Sequence, residues 1–230
     1  MTLWQENEGS TAAPAAAMTD VVFSIECKQL PVDHAADLSA ALINFLSNRL
    51  SIARTDLAVH PIHLAGSQNG WERPSANSNE ALMLSRRTRL KIRVNKNTAA
   101  DLITSLRETR HTIAGHPLTI VSGKLRPIFA SSTLYSRYTV FDTSASATDN
   151  EAHFTSAIVN ACAALGYKPT KLLCGRVNQI KSPDGPVTTR SVLLAEVPPN
   201  LSLVLQDTGL GELRSMGCGI LIPHKDTGAV

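Results

Sequence analysis

One order of elements occurs twice along this chain and restricts its possible folds more than any other feature. Segments in which apolar residues alternate predict strands, and segments in which they recur at helical spacing predict helices. Along the chain these segments follow the order strand, helix, strand, strand, helix, strand. In the first half, strand patterns cover 21–27, 57–64, 82–94, 118–121 and 125–129. Helical patterns begin after Pro31 and after Asn97-Thr98, and each has one apolar face.

The same order returns in the second half of the chain. Strands are predicted at 134–141, 172–180, 187–196 and 220–222, and helices at 151–165 and 201–206. This order is that of the βαββαβ unit, so we predict an α+β protein with two tandem ferredoxin-like (RRM-like) domains and a C-terminal glycine-rich loop. We expect a disordered tail over 1–19, a first domain over 20–130 with a polar loop at 66–80, and a second domain over 131–230.

Composition excludes several classes of protein. No apolar run is long enough to span a bilayer, and the start of the chain, with Glu6 and Glu8, lacks the basic and apolar regions of a secretory signal. We therefore expect a cytoplasmic protein with no membrane partner. The four cysteines lie far apart, without metal-ligand spacing, so we predict free thiols, no metal site and no cofactor. They are Cys27, Cys162, Cys174 and Cys218.

Cations alternate with apolar residues between positions 87 and 94. Because side chains alternate faces along a strand, one face is apolar and the other carries Arg87, Arg89, Lys91 and Arg93. A phosphate backbone is a natural partner for such a row, which predicts nucleic-acid binding. The alternative is a solvated face balanced by carboxylates. Further cations are assigned to the same RNA surface: Lys124, Arg126 and Arg137.

A glycine-rich segment, residues 209–225, precedes the chain's end. Its glycines permit close backbone approach, and free N–H groups there would cradle phosphate. The glycines in question are Gly209, Gly211, Gly217 and Gly219. Arg214 and Lys225 bracket the segment and are predicted phosphate contacts, although Arg214 could instead pair with Glu212 or Asp207 at the surface.

This segment also carries a family resemblance. Gly209-Leu210-Gly211, then Arg214, then Met-Gly-Cys-Gly-Ile-Leu-Ile-Pro-His-Lys over 216–225 resembles the glycine-rich motif of the CRISPR-associated repeat-processing endoribonucleases, the Cas six family of the RAMP superfamily. The motifs at 31–34, 59–62, 85–90 and 134–137 resemble one branch of that family in order and spacing. The resemblance extends over about residues 20–226.

The resemblance implies a function. Such enzymes bind the hairpin of a CRISPR repeat transcript and cut at its base to give mature guide RNA, without a metal. The 2′-hydroxyl attacks the adjacent phosphate and leaves a 2′,3′-cyclic phosphate, and many members stay bound as subunits of an effector complex with other Cas proteins. Two alternatives stay open: a non-catalytic crRNA-binding subunit of the same fold, and an unrelated ferredoxin-like metabolic enzyme or metal regulator.

Cleavage of this kind requires a base for the 2′-hydroxyl, and histidine has a suitable pKa. The first candidate is His34, at the start of the first helix, where some members of the family place a catalytic histidine; it could instead be a helix-start residue contacting solvent. The second is His60, on the next predicted strand. A histidine late in the first helix, present in other members, is absent here.

Overall fold

The computed structural model describes residues 16–63, 81–143 and 150–224. The elements of its N-terminal half are β1 (Met18–Glu26), β2 (Gln29–Pro31), α1 (Ala35–Ser47), β3 (Ala58–Val59), β4 (Ala81–Met83), β5 (Arg89–Asn95), α2 (Ala99–Leu106), β6 (Thr109–Ile113) and β7 (His116–Arg126). Those of its C-terminal half are β8 (Leu134–Thr139), α3 (Glu151–Ala164), β9 (Lys171–Ser182), β10 (Gly185–Ala195), α4 (Pro199–Thr208) and β11 (Ile222–Pro223).

Two antiparallel sheets organise the described residues, and they have the same connectivity. The first has the order β3-β5-β1-β7-β6, and the second has the order β11-β8-β10-β9. Without β6, both give the order expected for a βαββαβ unit, with the first and third strands of each unit in the middle. The predicted α+β fold with two tandem ferredoxin-like domains is therefore confirmed.

Helices cover one face of each sheet. In the first domain, Leu38, Leu42 and Leu46 of α1 pack with α2 against the inward side chains of β1, β5 and β7. In the second, Ile158 and Cys162 of α3 belong to a separate core. Their spacing of four residues produces the apolar faces that the sequence predicts. The opposite, outer face of the first sheet carries polar side chains, and the second domain, including α4, covers one end of it.

Several predicted boundaries are wrong. Strand β1 begins at Met18, inside the predicted tail, and the backbone N–H groups of Ala17 and Met18 donate to the Asp207 carboxylate at 2.6 and 3.1 Å. The strand predicted over 57–64 is only Ala58–Val59, because Pro61 has no N–H for the ladder. Residues 1–15 and the predicted loop at 66–80 lie outside the described residues.

The strand predicted over 82–94 is wrong in its middle. It is two strands, β4 and β5, separated by a turn that the Thr88 N–H closes by donating to the Ser85 carbonyl at 3.0 Å. Strand β4 pairs with β2 in a separate ribbon. The pattern also misses β6, which joins β7 through Ala114 and Gly115, both with positive φ, as two-residue hairpin turns require.

Four cysteines are free thiols, as predicted; Cys162 and Cys218 are buried, whereas Cys27 and Cys174 are half-buried. Within residues 16–63, 81–143 and 150–224, no helix has both the length and the apolar character needed to cross a bilayer.

Candidate nucleic-acid interface

The outer face of the first sheet gathers cations from two strands around β1. Pairing places Val22 between Lys91 of β5 and Lys124 of β7, and places Ser24 beside Arg89 of β5. Asp20, two residues earlier on the same face, lies between Arg93 and Arg126. We call this surface the cation face; its members are Arg89, Lys91, Lys124 and Arg126. The structure thus brings together four of the predicted RNA-binding residues that the sequence leaves on separate strands.

Arg93 contradicts the expected row of four exposed cations. Its side chain is only 1% exposed, and its Nε and Nη2 donate to the two carboxylate oxygens of Asp20 at 2.7 and 3.3 Å. Its Nη1 donates to the backbone carbonyls of Gln206 and Leu221, at 2.9 and 2.8 Å. All of these donors are therefore engaged within the protein, and Arg93 holds the second domain against the first. The balancing carboxylate was missed because it lies on a strand remote in sequence.

Arg87 also departs from the row, since it is exposed in the turn before β5 and not on the strand. Arg137 is exposed on β8 of the second sheet, with its Nε donating to the Tyr138 hydroxyl at 3.1 Å. It is therefore not on the cation face. Lys225 lies outside the described residues.

His60 lies beside Lys91 on the same face of the sheet. Its backbone N–H donates to the Lys91 carbonyl at 2.9 Å, which continues the pairing of β3 with β5. Its Nε2 is 3.9 Å from Asp20 Oδ1, too far for a hydrogen bond, and this nitrogen is buried without a hydrogen-bond partner among the described residues. The histidine that the sequence ranks second is thus the one that the fold places with the cations.

Burial and charge set the protonation states around His60. Burial lowers the pKa of His60 to about 4; Asp20 acts to raise it, and Arg93 and Lys91 lower it further. Burial acts to raise the pKa of Asp20, but interactions with His60 and Arg93 outweigh it and hold that pKa well below its usual range. Burial, Arg126 and Arg93 also lower the pKa of Lys91. At neutral pH this site therefore holds a neutral imidazole beside an ionised carboxylate.

His34 has a different environment. It precedes α1 and is 1% exposed. Its Nε2 accepts a hydrogen bond from the Ile62 N–H at 3.0 Å, so its Nδ1 carries the proton and donates to the Pro31 carbonyl at 2.8 Å. The expectation of a solvent-contacting helix-start residue is wrong. Both ring nitrogens are committed to joining α1 to the chain that follows β3.

The glycine-rich segment packs against protein backbone. The N–H groups of Gly209, Leu210, Glu212, Gly217 and Gly219 all donate to protein carbonyls. Glycine is required by close contacts: a Cβ on Gly211 would overlap the Val140 carbonyl, one on Gly217 would overlap Pro61, and one on Gly219 would overlap the Leu210 carbonyl. Because these N–H groups already donate within the protein, the predicted phosphate cradle is wrong for them. The glycines, which have positive φ, instead allow the close packing of the segment.

Arg214 lies in this segment, in a short 3₁₀ turn over Arg214–Met216. Its Nε and Nη2 are buried and have no hydrogen-bond partner among the described residues. The alternative, a surface pair with Asp207, is not formed among the described residues; the oxygens of that carboxylate accept from the Ala17 and Met18 N–H groups. No ion pair of Arg214 with Glu212 occurs in the described part of the chain either.

Comparison with known proteins decides the family. A sequence model described as Cas6 CRISPR matches residues 19–226, which is most of the chain. The chain belongs to the Cas6 family. A Myxococcus xanthus (strain DK1622) protein named CRISPR-associated endonuclease Cas6 is 28% identical over 204 residues, covering 89% of this chain and 80% of that protein.

Solved structures of Cas6 and RAMP proteins share the fold. A CRISPR-associated protein Cas6 superposes with a TM-score of 0.61 at 11% identity, covering 90% of this chain and all of the other. A RAMP protein described as binding different RNA substrates gives a TM-score of 0.62 at 9% identity, covering 90% of this chain and all of the other. At such identities the likeness shows a common fold, and the tandem ferredoxin-like architecture of this Cas6 protein agrees with it.

Two further residues of the junction were not predicted from the sequence. Asp20 sits near the start of β1, where a carboxylate directly before Val21 and Val22 is the one available signal. Gln206 contributes its backbone carbonyl to Arg93 and its side-chain Nε2 to the Phe129 carbonyl at 2.9 Å. A carbonyl contact depends on backbone position alone, and no residue pattern encodes it.

Proposed function

We propose that this Cas6 protein is an endoribonuclease that processes CRISPR repeat RNA, binding the repeat hairpin and cutting at its base to give mature guide RNA. The observation that carries the proposal is the cation face, where Lys91, Lys124 and Arg126 surround β1 beside His60. Rows of cations on a sheet with few local carboxylates favour a polyanionic ligand. Family membership and a relative named as an endonuclease support RNA cleavage over binding by an unrelated ferredoxin-like enzyme.

For the chemistry, we propose metal-independent attack of the 2′-hydroxyl on the adjacent phosphate, with a 2′,3′-cyclic phosphate and a 5′-hydroxyl as products. His60 is the better general base of the two candidates, because His34 uses both ring nitrogens within the protein. The low pKa of His60 keeps it neutral, the form that accepts a proton. A phosphate held by Lys91 and Lys124 would raise that pKa towards neutrality, since a nearby negative charge favours the imidazolium. Both lysines would also stabilise the charge of the transition state.

The experiment incubates the wild-type protein with a labelled transcript of one CRISPR repeat from the source genome, with EDTA present, and maps the product ends. We expect one cut at the hairpin base and a product that resists phosphatase until acid opens the cyclic phosphate. The His60→Ala variant should bind this RNA normally and cut about 10²- to 10⁴-fold more slowly. His34→Ala is the matched control. Its main effect should be a lower melting temperature. If His60→Ala cuts at the wild-type rate, His60 is not the base.

One observation favours a second function. Neither Nε2 is open to solvent: that of His34 accepts a hydrogen bond and that of His60 is buried beside Asp20. A non-catalytic crRNA-binding subunit of an effector complex would have such a site. Tight repeat-RNA binding without cleavage, together with co-purification of other Cas subunits, would select this function. Cleavage followed by retention of the product hairpin would instead indicate a nuclease that becomes a subunit.

A further inference from the structure

A cavity at the domain junction contains a half-buried charged group, Arg214, that forms no ion pair among the described residues. The side chain of Arg214 extends beneath Gly209, where a Cβ would lie 2.9 Å from Nε. Its buried Nε and Nη2 make no hydrogen bond to any described residue. A guanidinium stays ionised in proteins, so a buried one without a partner is costly unless a ligand supplies the missing contacts.

The nearby carboxylates do not pair with the guanidinium of Arg214. Asp207 accepts hydrogen bonds from the Ala17 and Met18 N–H groups, at 2.6 and 3.1 Å, and forms no ion pair with Arg214 among the described residues. Asp56 lines the cavity, but it forms no ion pair with Arg214 among the described residues. Burial and the charge of Arg93 lower the pKa of Arg214, against the effect of Asp207 and Asp56. The guanidinium therefore has two buried N–H groups that the described residues leave without hydrogen bonds.

Polar side chains surround Arg214 in this cavity, which measures about 410 Å³, within the range of small-ligand sites of roughly 300–1,000 Å³. The lining residues that present polar groups are Thr55, Asp56, Asn95, Asn97 and Thr98. Thr98 is also the residue that precedes α2, so the amino end of that helix adds partial positive charge. The Thr55 and Thr98 hydroxyls donate to Asp56 Oδ1 and to the Asn95 carbonyl, at 3.5 and 3.0 Å. The donors left for a ligand are the guanidinium of Arg214 and the side-chain amides of Asn95 and Asn97, a set suited to a phosphate group, with Asp56 as the one carboxylate among the lining residues.

We propose that this cavity binds a phosphodiester of the RNA, with Arg214 as its ion partner and the side-chain amides of Asn95 and Asn97 as hydrogen-bond donors. The proposal rests on the RNA binding proposed above and adds a second phosphate site to it. Along β5, Asn95 is four residues beyond Lys91, about 13 Å away. The Asp20–Arg93 pair lies between them and is covered by the second domain. The RNA segment in the cavity is thus separate from the part on the cation face.

A ligand role and a purely structural role predict opposite effects of removing the charge. Replacing a buried, unpaired cation by an apolar side chain of similar length relieves a desolvation cost, so Arg214→Met should leave the free protein as stable or more stable. A structural ion pair with Asp56 would instead make both Arg214→Met and Asp56→Asn destabilising. The first outcome, combined with weaker RNA binding, identifies a ligand contact.

The test measures the affinity for a one-repeat CRISPR transcript at several salt concentrations, and the melting temperature of the free protein. For Arg214→Met we expect weaker binding, a salt slope smaller by about 0.7–0.9, and an unchanged or higher melting temperature. Arg54→Met is the matched control: Arg54 is exposed and contacts the same turn through the Ser215 hydroxyl at 3.1 Å, but it does not line the cavity. Its affinity and slope should change little.

Inorganic phosphate provides a second arm that does not involve RNA. At constant ionic strength, phosphate replacing chloride should raise the melting temperature of the wild type more than that of Arg214→Met. If the wild type cuts repeat RNA while Arg214→Met keeps the full salt slope, the cavity proposal is overturned and the proposed function stands. If Arg214→Met and Asp56→Asn both lower the melting temperature of the free protein with RNA affinity unchanged, the ion-pair explanation replaces it. If the wild type does not bind the RNA, both proposals fail.

Discussion

The two ends of the outer face of the first sheet use the same residue types for different purposes. At one end, Arg89 is exposed and Lys91 is half-buried beside Lys124. At the other, Arg93 is 1% exposed and joins Asp20 to the backbone of the second domain. These cations alternate along one strand and point to one face, so local pattern cannot distinguish them. What separates them is the second domain, which covers only one end of that face.

The largest effect should come from the covered end. Arg93→Leu removes one partner of a buried ion pair and leaves Asp20 buried and uncompensated, which costs about 3–5 kcal/mol in the free energy of unfolding. Urea unfolding monitored by circular dichroism gives this value. Asp20→Asn is the matched variant and should be destabilising for the same reason. An Arg93→Leu protein with wild-type stability and weaker RNA binding would place Arg93 with the cation face instead.

Acidic pH should act on His60, which lies where the two ends meet, beside Lys91 and 3.9 Å from Asp20 Oδ1. Because the folded pKa of His60 is about 4, below its ordinary value of 6.5, the unfolded chain binds more protons between these pH values. Stability should thus fall as the pH is lowered from about 6.5 to 4, by up to about 3 kcal/mol, and His60 should contribute no pH dependence above that window.

His60→Asn tests this directly, since it keeps a polar side chain and removes the titration. The stability that the variant loses between about pH 6.5 and 4 should be smaller than the wild-type loss by most of the roughly 3 kcal/mol that His60 contributes, so its slope of stability against pH should be shallower. Asp20 is the second group facing His60, and its lowered pKa affects stability only at more acidic pH, where its carboxylate becomes protonated. An unchanged slope in His60→Asn would mean that His60 titrates as an exposed histidine.

The open end should affect RNA binding more than folding. Replacing Lys91 and Lys124 together by Gln removes two predicted phosphate contacts, for a loss of about 2 kcal/mol or roughly 30-fold in affinity. The salt slope of binding should decrease by about 1.4–1.8. The matched control is Arg137→Gln with Arg176→Gln, two exposed cations of the second sheet. If both double variants lose the same affinity, the two sheets contribute equally and the cation face is not a distinct site.

The smallest effect is expected for Arg89. Its Nη1 donates to the Arg86 and Thr88 carbonyls at 2.7 and 2.8 Å, so it closes the turn before β5 in addition to facing the cation face. Arg89→Gln should cost about 1 kcal/mol or less in stability and a few-fold in RNA affinity. If Arg89→Gln loses more RNA affinity than the double variant of Lys91 and Lys124, the main RNA contacts lie at this turn and not around β1.

Local patterns predicted most of the architecture but little of the site. The helix predicted over 151–165 is α3, Glu151–Ala164, because Asn150 caps it and its apolar spacing is regular. The hairpin around Ser182 and Gly185 was likewise predicted by its turn residues. The strand over 82–94 was not, since alternation continues through the turn at 85–88. His34 and His60 were both found as candidates for the general base. Their ranking depended on which ring nitrogens form hydrogen bonds to other segments of the chain, and the sequence does not show this.

The sequence by itself determined the order of elements, the two βαββαβ units, the Cas6 resemblance and the set of cations available for RNA. Periodicity and turn chemistry act over a few residues, so they are readable from the chain. Only the tertiary structure decided that Arg93 is an interdomain contact, that His34 is fully hydrogen-bonded, and that the glycines serve packing. It also placed Arg214 in a polar cavity where the described residues form no ion pair with it. Each of these depends on atoms from segments far apart in sequence, because burial and pairing are set where the two domains meet.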